Sequence, residues 1–117
     1  TLGTMIFALA TDEQTLFVFQ STEEAIAYCE GVDVEAGDWI FWDEGGSPLQ
    51  AEFTTPNHHG RFSIGNGAYR LVPDPSGDAL ISLLGRFGGL EKNQFFASAT
   101  ALRDHLVGTA RGTEHSA

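Results

Sequence analysis

Met5-Ile6-Phe7-Ala8-Leu9-Ala10-Thr11-Asp12-Glu13-Gln14-Thr15-Leu16-Phe17-Val18-Phe19 is the stretch that decides the fold. Two short runs rich in aromatic and branched side chains flank the polar segment Thr11-Asp12-Glu13-Gln14, which predicts a β-hairpin. Neither run alternates between apolar and polar residues. Strands of that kind lie inside a sheet with both faces covered. Material must therefore pack on either side of this hairpin, and the rest of the chain has to supply it.

Ser21-Thr22-Glu23-Glu24 follows as a capping box, with Ser21 accepting from the Glu24 N–H and Glu24 reaching back to Ser21. Ala25, Ile26 and Cys29 form the apolar stripe of a helix about ten residues long, and Gly31 is expected to end it in the left-handed conformation. An acidic loop then runs from Gly31 to Asp38. Asp38 to Asp43 reads as a strand, Glu44-Gly45-Gly46-Ser47 as a turn and Leu49 to Thr54 as the return strand. A four-residue loop pairs Trp42 with Leu49, Ile40 with Ala51 and Asp38 with Phe53. It leaves Trp39 and Phe41 on the other, mixed face beside Glu52 and Gln50. One residue more or less in that loop inverts the assignment.

Asn66-Gly67 predicts a two-residue hairpin turn of the primed kind. It would pair Ile64 with Tyr69, Phe62 with Leu71, Ser63 with Arg70 and Arg61 with Val72. Leu80, Leu83, Leu84 and Phe87 keep helical spacing. A last helix begins at Ser98, carries Ala99, Leu102 and Leu106, and is expected to stop at Gly108. The expected fold is α+β: an antiparallel sheet of about six strands, one short inserted helix and C-terminal helices. Residues 5–108 form the expected single domain and 109–117 a flexible polar tail. Residues 1–4, ahead of the only methionine, read as a possible vector-derived remnant.

The 117 residues suit one domain, and 42% apolar with 11% aromatic content is enough for a core. No apolar run approaches the roughly 20 residues of a membrane span. The single cysteine, Cys29, excludes an internal disulfide and fits a reducing, cytoplasmic compartment. Charge is distributed unevenly. Residues 1–60 hold eleven acids and no Lys or Arg, a net of −11, whereas residues 61–117 hold six bases and five acids, a net of +1. Such a surface disfavours nucleic acid and anionic lipid and favours a basic protein.

Enzymatic motifs are weak. Cys29 lies on the apolar stripe, where a free cysteine acts as a small hydrophobe. His58 and His59, with nearby acids, offer a metal- or ligand-binding alternative, but no third ligand stands at metal-binding spacing. Asp33-x-Glu35-x-x-Asp38 lacks the length and closing glutamate of a calcium loop. Gly65-Asn66-Gly67 is a turn and not a phosphate loop. Paired carboxylates for glycoside hydrolysis would need a sugar cleft, for which a chain this size has little room. No catalytic residue, metal or cofactor is expected. What remains is Glu23, Glu24, Glu30, Asp33, Glu35, Asp38, Asp43 and Glu44, interleaved with Tyr28, Trp39, Phe41 and Trp42. Acids steer a partner and aromatic side chains anchor it. The ordinary alternative is that the acids solvate the surface and the tryptophans fill the core.

A short chain with an acidic first half and no catalytic motif resembles the bacterial immunity proteins encoded beside contact-dependent inhibition and type VI secretion toxins. Ile6-Phe7-Ala8-Leu9-Ala10-Thr11, the segment Thr22-Glu23-Glu24-Ala25-Ile26-Ala27-Tyr28-Cys29-Glu30-Gly31 and Phe53-Thr54-Thr55-Pro56-Asn57 look like small bacterial proteins of such gene pairs. The resemblance covers about half the chain. It implies binding to a cognate toxin domain, often a nuclease, in the cytoplasm of the producing cell. The residues expected to bind are the eight acids above with Trp39 and Phe41.

Overall fold

A computed structural model describes residues 5–60 and 64–116, with the backbone alone at Ile64 and over 109–116. In chain order the elements are β1 (Ile6–Ala10), β2 (Thr15–Phe19), α1 (Thr22–Tyr28), α2 (Gly31–Glu35), β3 (Trp39–Trp42) and β4 (Pro48–Thr55). They continue with β5 (His58–His59), β6 (Ile64–Gly65), β7 (Ala68–Pro73), α3 (Leu80–Leu83), β8 (Gly89–Leu90) and α4 (Ala99–Ser116). A 3-10 turn over Leu84–Arg86 extends α3. The fold is α+β. Six strands in the order β7-β4-β3-β1-β2-β8 form the main sheet, and β5 and β6 pair separately. All neighbours in the main sheet are antiparallel except β2 and β8.

The opening hairpin is at the centre, as its continuous apolar runs require. Every residue of β1 is buried. Odd positions Phe7 and Leu9 point with Leu16 and Trp42 into a core that Leu80, Leu102 and Leu106 of α3 and α4 close. Even positions Ile6 and Ala8 point with Phe19 and Phe41 into a second core closed by Ala25 and Cys29 of the α1 segment. Leu83, Leu84 and Phe87 pack on the first core, but the helix their spacing predicts ends at Leu83, and Phe87 is extended after the 3-10 turn.

Several expectations need correction. Helix α1 has seven residues, and Cys29 caps it in extended conformation. Gly31 does not end it in the left-handed region but opens α2, within the segment expected to be a loop. The left-handed glycine falls later, at Gly37. Gly31 is needed for another reason: a Cβ there would stand 2.6 Å from Asn57 Oδ1.

The β3–β4 register is shifted by one. Phe41 faces Leu49 and Trp42 faces Pro48. The loop closes one residue earlier because Asp43 N–H donates to the Ser47 carbonyl at 2.9 Å and Gly46 N–H to the Asp43 carbonyl at 2.9 Å. The Asp43 carboxylate accepts from the N–H groups of Gly45 and Ser47 at 3.0 and 2.9 Å. Gly46 takes a φ of 85°, completing a three-residue loop. Phe41 therefore shares its face with Leu49 and enters the second core, while Trp42 stays in the first.

Asn66-Gly67 makes no hairpin. β7 pairs with β4, so that Tyr69 faces Phe53, while Ile64 faces His59. The expected partners Arg61, Phe62 and Ser63 lie outside the described residues. Tertiary bonds override the local turn preference: Asn66 Oδ1 accepts from Val32 N–H at 2.9 Å, and Gly67 N–H donates to Asn57 Oδ1 at 2.7 Å. Finally, α4 does not stop at Gly108, and its backbone remains helical to Ser116. Ser98 Oγ caps it by accepting from Ala101 N–H at 3.2 Å. Among the described residues no helix is long and apolar enough to cross a membrane.

Candidate interaction surface

Helix α1 starts where the capping box predicts. Ser21 Oγ accepts from Glu24 N–H at 3.1 Å, and Glu23 and Glu24 occupy the first turn, where the helix dipole favours them. A helix of seven residues cannot persist alone. Ala25 and Cys29, four residues apart, bury it against the sheet. Tyr69 of β7 holds its end by donating from its hydroxyl to the Cys29 carbonyl at 2.6 Å. Burial raises the pKa of that hydroxyl, and the Cys29 charge adds to the effect.

This docking leaves Tyr28 over the sheet, 56% exposed. Its ring centroid lies 5.6 Å from Phe17, 5.4 Å from Phe19 and 5.9 Å from Trp39. Phe17 and Trp39 meet edge to face at 5.3 Å. They sit on β2 and β3, with β1 between them. The register places Ala8 between Phe17 and Phe41, and Ala10 between Thr15 and Trp39. Small side chains on the middle strand let the rings meet across it. Edge-to-face and tilted pairs at 4.5–7 Å are the favoured aromatic geometries, so the cluster holds itself in place.

The acids separate into groups. Glu23, Glu24 and Glu30 are exposed around α1. Asp33 and Asp38 are half-buried, and Asp38 accepts Thr11 N–H on its carbonyl at 3.0 Å. That bond brings the loop carrying Asp12 and Glu13 to the same end of the sheet. Glu35 is tied down: His59 Nε2 donates to its carboxylate at 2.6 Å and Asn57 Nδ2 at 3.3 Å. Hydrogen bonds from His59 first and Asn57 second hold Glu35 below the usual carboxylate range. Asp43 and Glu44 belong to the far end of β3. There the Asp43 carboxylate is taken by its own turn, and His105 of α4 donates to the Glu44 carbonyl at 2.9 Å.

The structure thus brings Tyr28 and Trp39 together with Glu23, Glu24 and Glu30 around one short helix, and it separates Asp43 and Glu44 from them. Phe41, expected on a mixed and partly exposed face, is 2% exposed and belongs to the core. Phe17 was not expected in the surface. Its place follows from the β1–β2 register and from Ala8, which only the assembled sheet reveals. Among the described residues the acids of the first half make two ion pairs, Glu35 with His59 and Glu52 with Arg70.

Burial, then the neighbouring charge of Asp33, pushes the Cys29 thiol up to about 12, so it is not a thiolate at neutral pH. His58 and His59 are exposed on β5, and among the described residues no three His, Cys, Asp or Glu side chains gather as a metal site. An open pocket of about 550 Å³ lies between β8 and the start of α4, lined in part by Leu90, Lys92, Asn93, Phe96 and Ser98. Two of its polar side chains are already engaged, Asn93 with the Phe95 and Phe96 N–H groups and Ser98 with the cap of α4.

Comparison of the chain with protein-family models, curated proteins and solved structures finds no match.

Proposed function

We propose that this chain is a non-enzymatic immunity protein that binds and neutralises a basic toxin domain, such as a nuclease, through the face built by α1, β2 and β3. The observation that carries this reading is the exposed Tyr28, packed against Phe17, Phe19 and Trp39 beside Glu23, Glu24 and Glu30, in a half-chain without Lys or Arg. A rigid aromatic anchor ringed by charge of one sign suits a partner of the opposite sign. A nuclease is such a partner because its active site holds phosphates. The cytoplasm of the producing cell is where the toxin would have to be met, and a single buried cysteine suits that compartment.

The test is the protein encoded beside this one. Its basic C-terminal domain should co-purify with this chain and lose its toxicity. Glu23→Lys, Glu24→Lys and Glu30→Lys together should slow association at low salt by roughly tenfold to a thousandfold, the range that electrostatic steering spans. An unchanged on-rate, or a partner with an acidic contact surface, would overturn the reading.

A further inference from the structure

Resting on the reading of this face as a site for a basic protein, we propose that the ring of Tyr28 is the platform on which an arginine guanidinium of the partner stacks, with Glu24 as its counter-charge. Among the described residues Tyr28 is the most exposed of the large apolar side chains, at 56%. Yet its orientation is fixed by three ring contacts, with Phe17, Phe19 and Trp39. An exposed ring that is also held still presents a face at little entropic cost.

Glu24 stands four residues before Tyr28 on α1, hence on the same helix face. A helical aromatic side chain leans toward the N-terminus and covers the preceding turn, which is where Glu24 sits. The Glu24 carboxylate makes no ion pair among the described residues. Residues 1–60, which build α1, β2 and β3, contribute no Lys or Arg to the platform.

The polar handles of the aromatic residues support the same division. The Trp42 indole donates to the Asp78 carbonyl at 2.8 Å, and the Tyr69 hydroxyl to the Cys29 carbonyl at 2.6 Å. Both belong to side chains that fill the core. The Trp39 indole and the Tyr28 hydroxyl have no hydrogen-bond partner among the described residues, so both remain available to a partner. Arginine fits better than lysine, since a planar guanidinium stacks on a ring while its fork engages a carboxylate.

Short acetylated, amidated glycine–arginine and glycine–lysine peptides of equal charge test the platform without the natural partner. In NMR titrations the arginine peptide should bind more tightly by roughly threefold, shifting the ring resonances of Tyr28 and Trp39. Tyr28→Leu should erase the preference while residual binding to the acids persists, and Tyr28→Phe, which keeps the ring, should retain it. Equal affinity for the two peptides, a preference that survives Tyr28→Leu, or no binding of either peptide would each overturn the proposal. None of these outcomes bears on the charge-reversal kinetics, so a failed platform and a failed choice of partner are told apart.

Discussion

The two faces of the sheet are built differently. On one, α3 and the long α4 cover Phe7, Leu9, Leu16 and Trp42 with leucines. Backbone bonds stitch this side together: Leu80 N–H donates to the Gly46 carbonyl at 2.9 Å, and the Trp42 indole to Asp78. On the other, two helices of seven and five residues cover a core of alanine, cysteine and aromatic rings and leave the rings' outer edge in water. The first face is closed by aliphatic packing. The second is covered by shorter helices and carries the exposed Glu23, Glu24 and Glu30. The α3–α4 face is thus the leucine-rich core, and the proposed recognition site belongs to the α1–α2 face.

The largest effect that could break this division is a core truncation. Leu102 is 1% exposed among Leu80, Leu106 and the central strands. Leu102→Ala should destabilise the protein by about 2–5 kcal/mol in urea unfolding. Tyr28→Ala should cost only about 1 kcal/mol, the worth of its aromatic contacts. Equal losses would show that the two faces share the stabilising role.

A second prediction concerns the clasp that joins the β5–β6 segment to α2. A Cβ on Gly67 would stand 2.0 Å from the Thr55 carbonyl oxygen and 2.5 Å from Pro56 backbone atoms. Neither can yield as a side chain would. Gly67→Ala should cost about 1–3 kcal/mol, as overpacking does. It should also loosen the bonds from Gly67 and Asn57 to one another and to Gly31, seen as faster amide exchange in α2. A neutral substitution would mean that the clasp is not closed in solution.

How far the chain could be read in advance follows the same line between local and distant causes. The opening hairpin, the Ser21 cap and the Leu80 to Phe87 spacing were legible because each depends on residues close in sequence. The β3–β4 register was not, because it hangs on one carboxylate, Asp43, capturing two N–H groups of its own loop. That single slip set Phe41 beside Leu49 in the second core. Asn66-Gly67 carried a strong local preference for a hairpin, which lost to bonds with Val32 and Asn57, 34 and 10 residues away. For the surface, charge asymmetry pointed to all eight acids from Glu23 to Glu44 with Trp39 and Phe41. It could not show that Asp43 is held by its own turn and Glu44 by His105 of α4, away from α1, nor reveal Phe17, which reaches Trp39 only across the alanines of β1.

A smaller effect sharpens the role of α1 as the mount for the proposed site. Ser21→Ala removes the oxygen that accepts from Glu24 N–H. The expected loss is about 1 kcal/mol. Because α1 is short and held mainly by Ala25 and Cys29, exchange should rise first at amides in α1, leaving α4 protected. A uniform rise across both would show that the helix unfolds only with the whole domain and is not a separate mount.

The smallest effect lies at the edge of the proposed recognition face, in the bond between Glu35 and His59. A carboxylate whose pKa is depressed in the folded state contributes stability that is present above its unfolded value, about 4.3 for glutamate. That contribution is lost as the pH falls through the lower folded value. His59 and Asn57 both hold Glu35 down, so the part of the clasp that rests on the Glu35 carboxylate should weaken in acid, below the ordinary glutamate range. At neutral pH it should be insensitive to protonation of Glu35. His59→Ala removes the leading cause, and the Glu35 carboxyl resonance should then titrate nearer its ordinary value. Both groups are exposed, so the change in global stability should be slight. If Glu35 titrates in the wild type as an unperturbed glutamate does, the Glu35–His59 contact is not populated, and the α2 edge of the recognition face is freer than the bonded network implies.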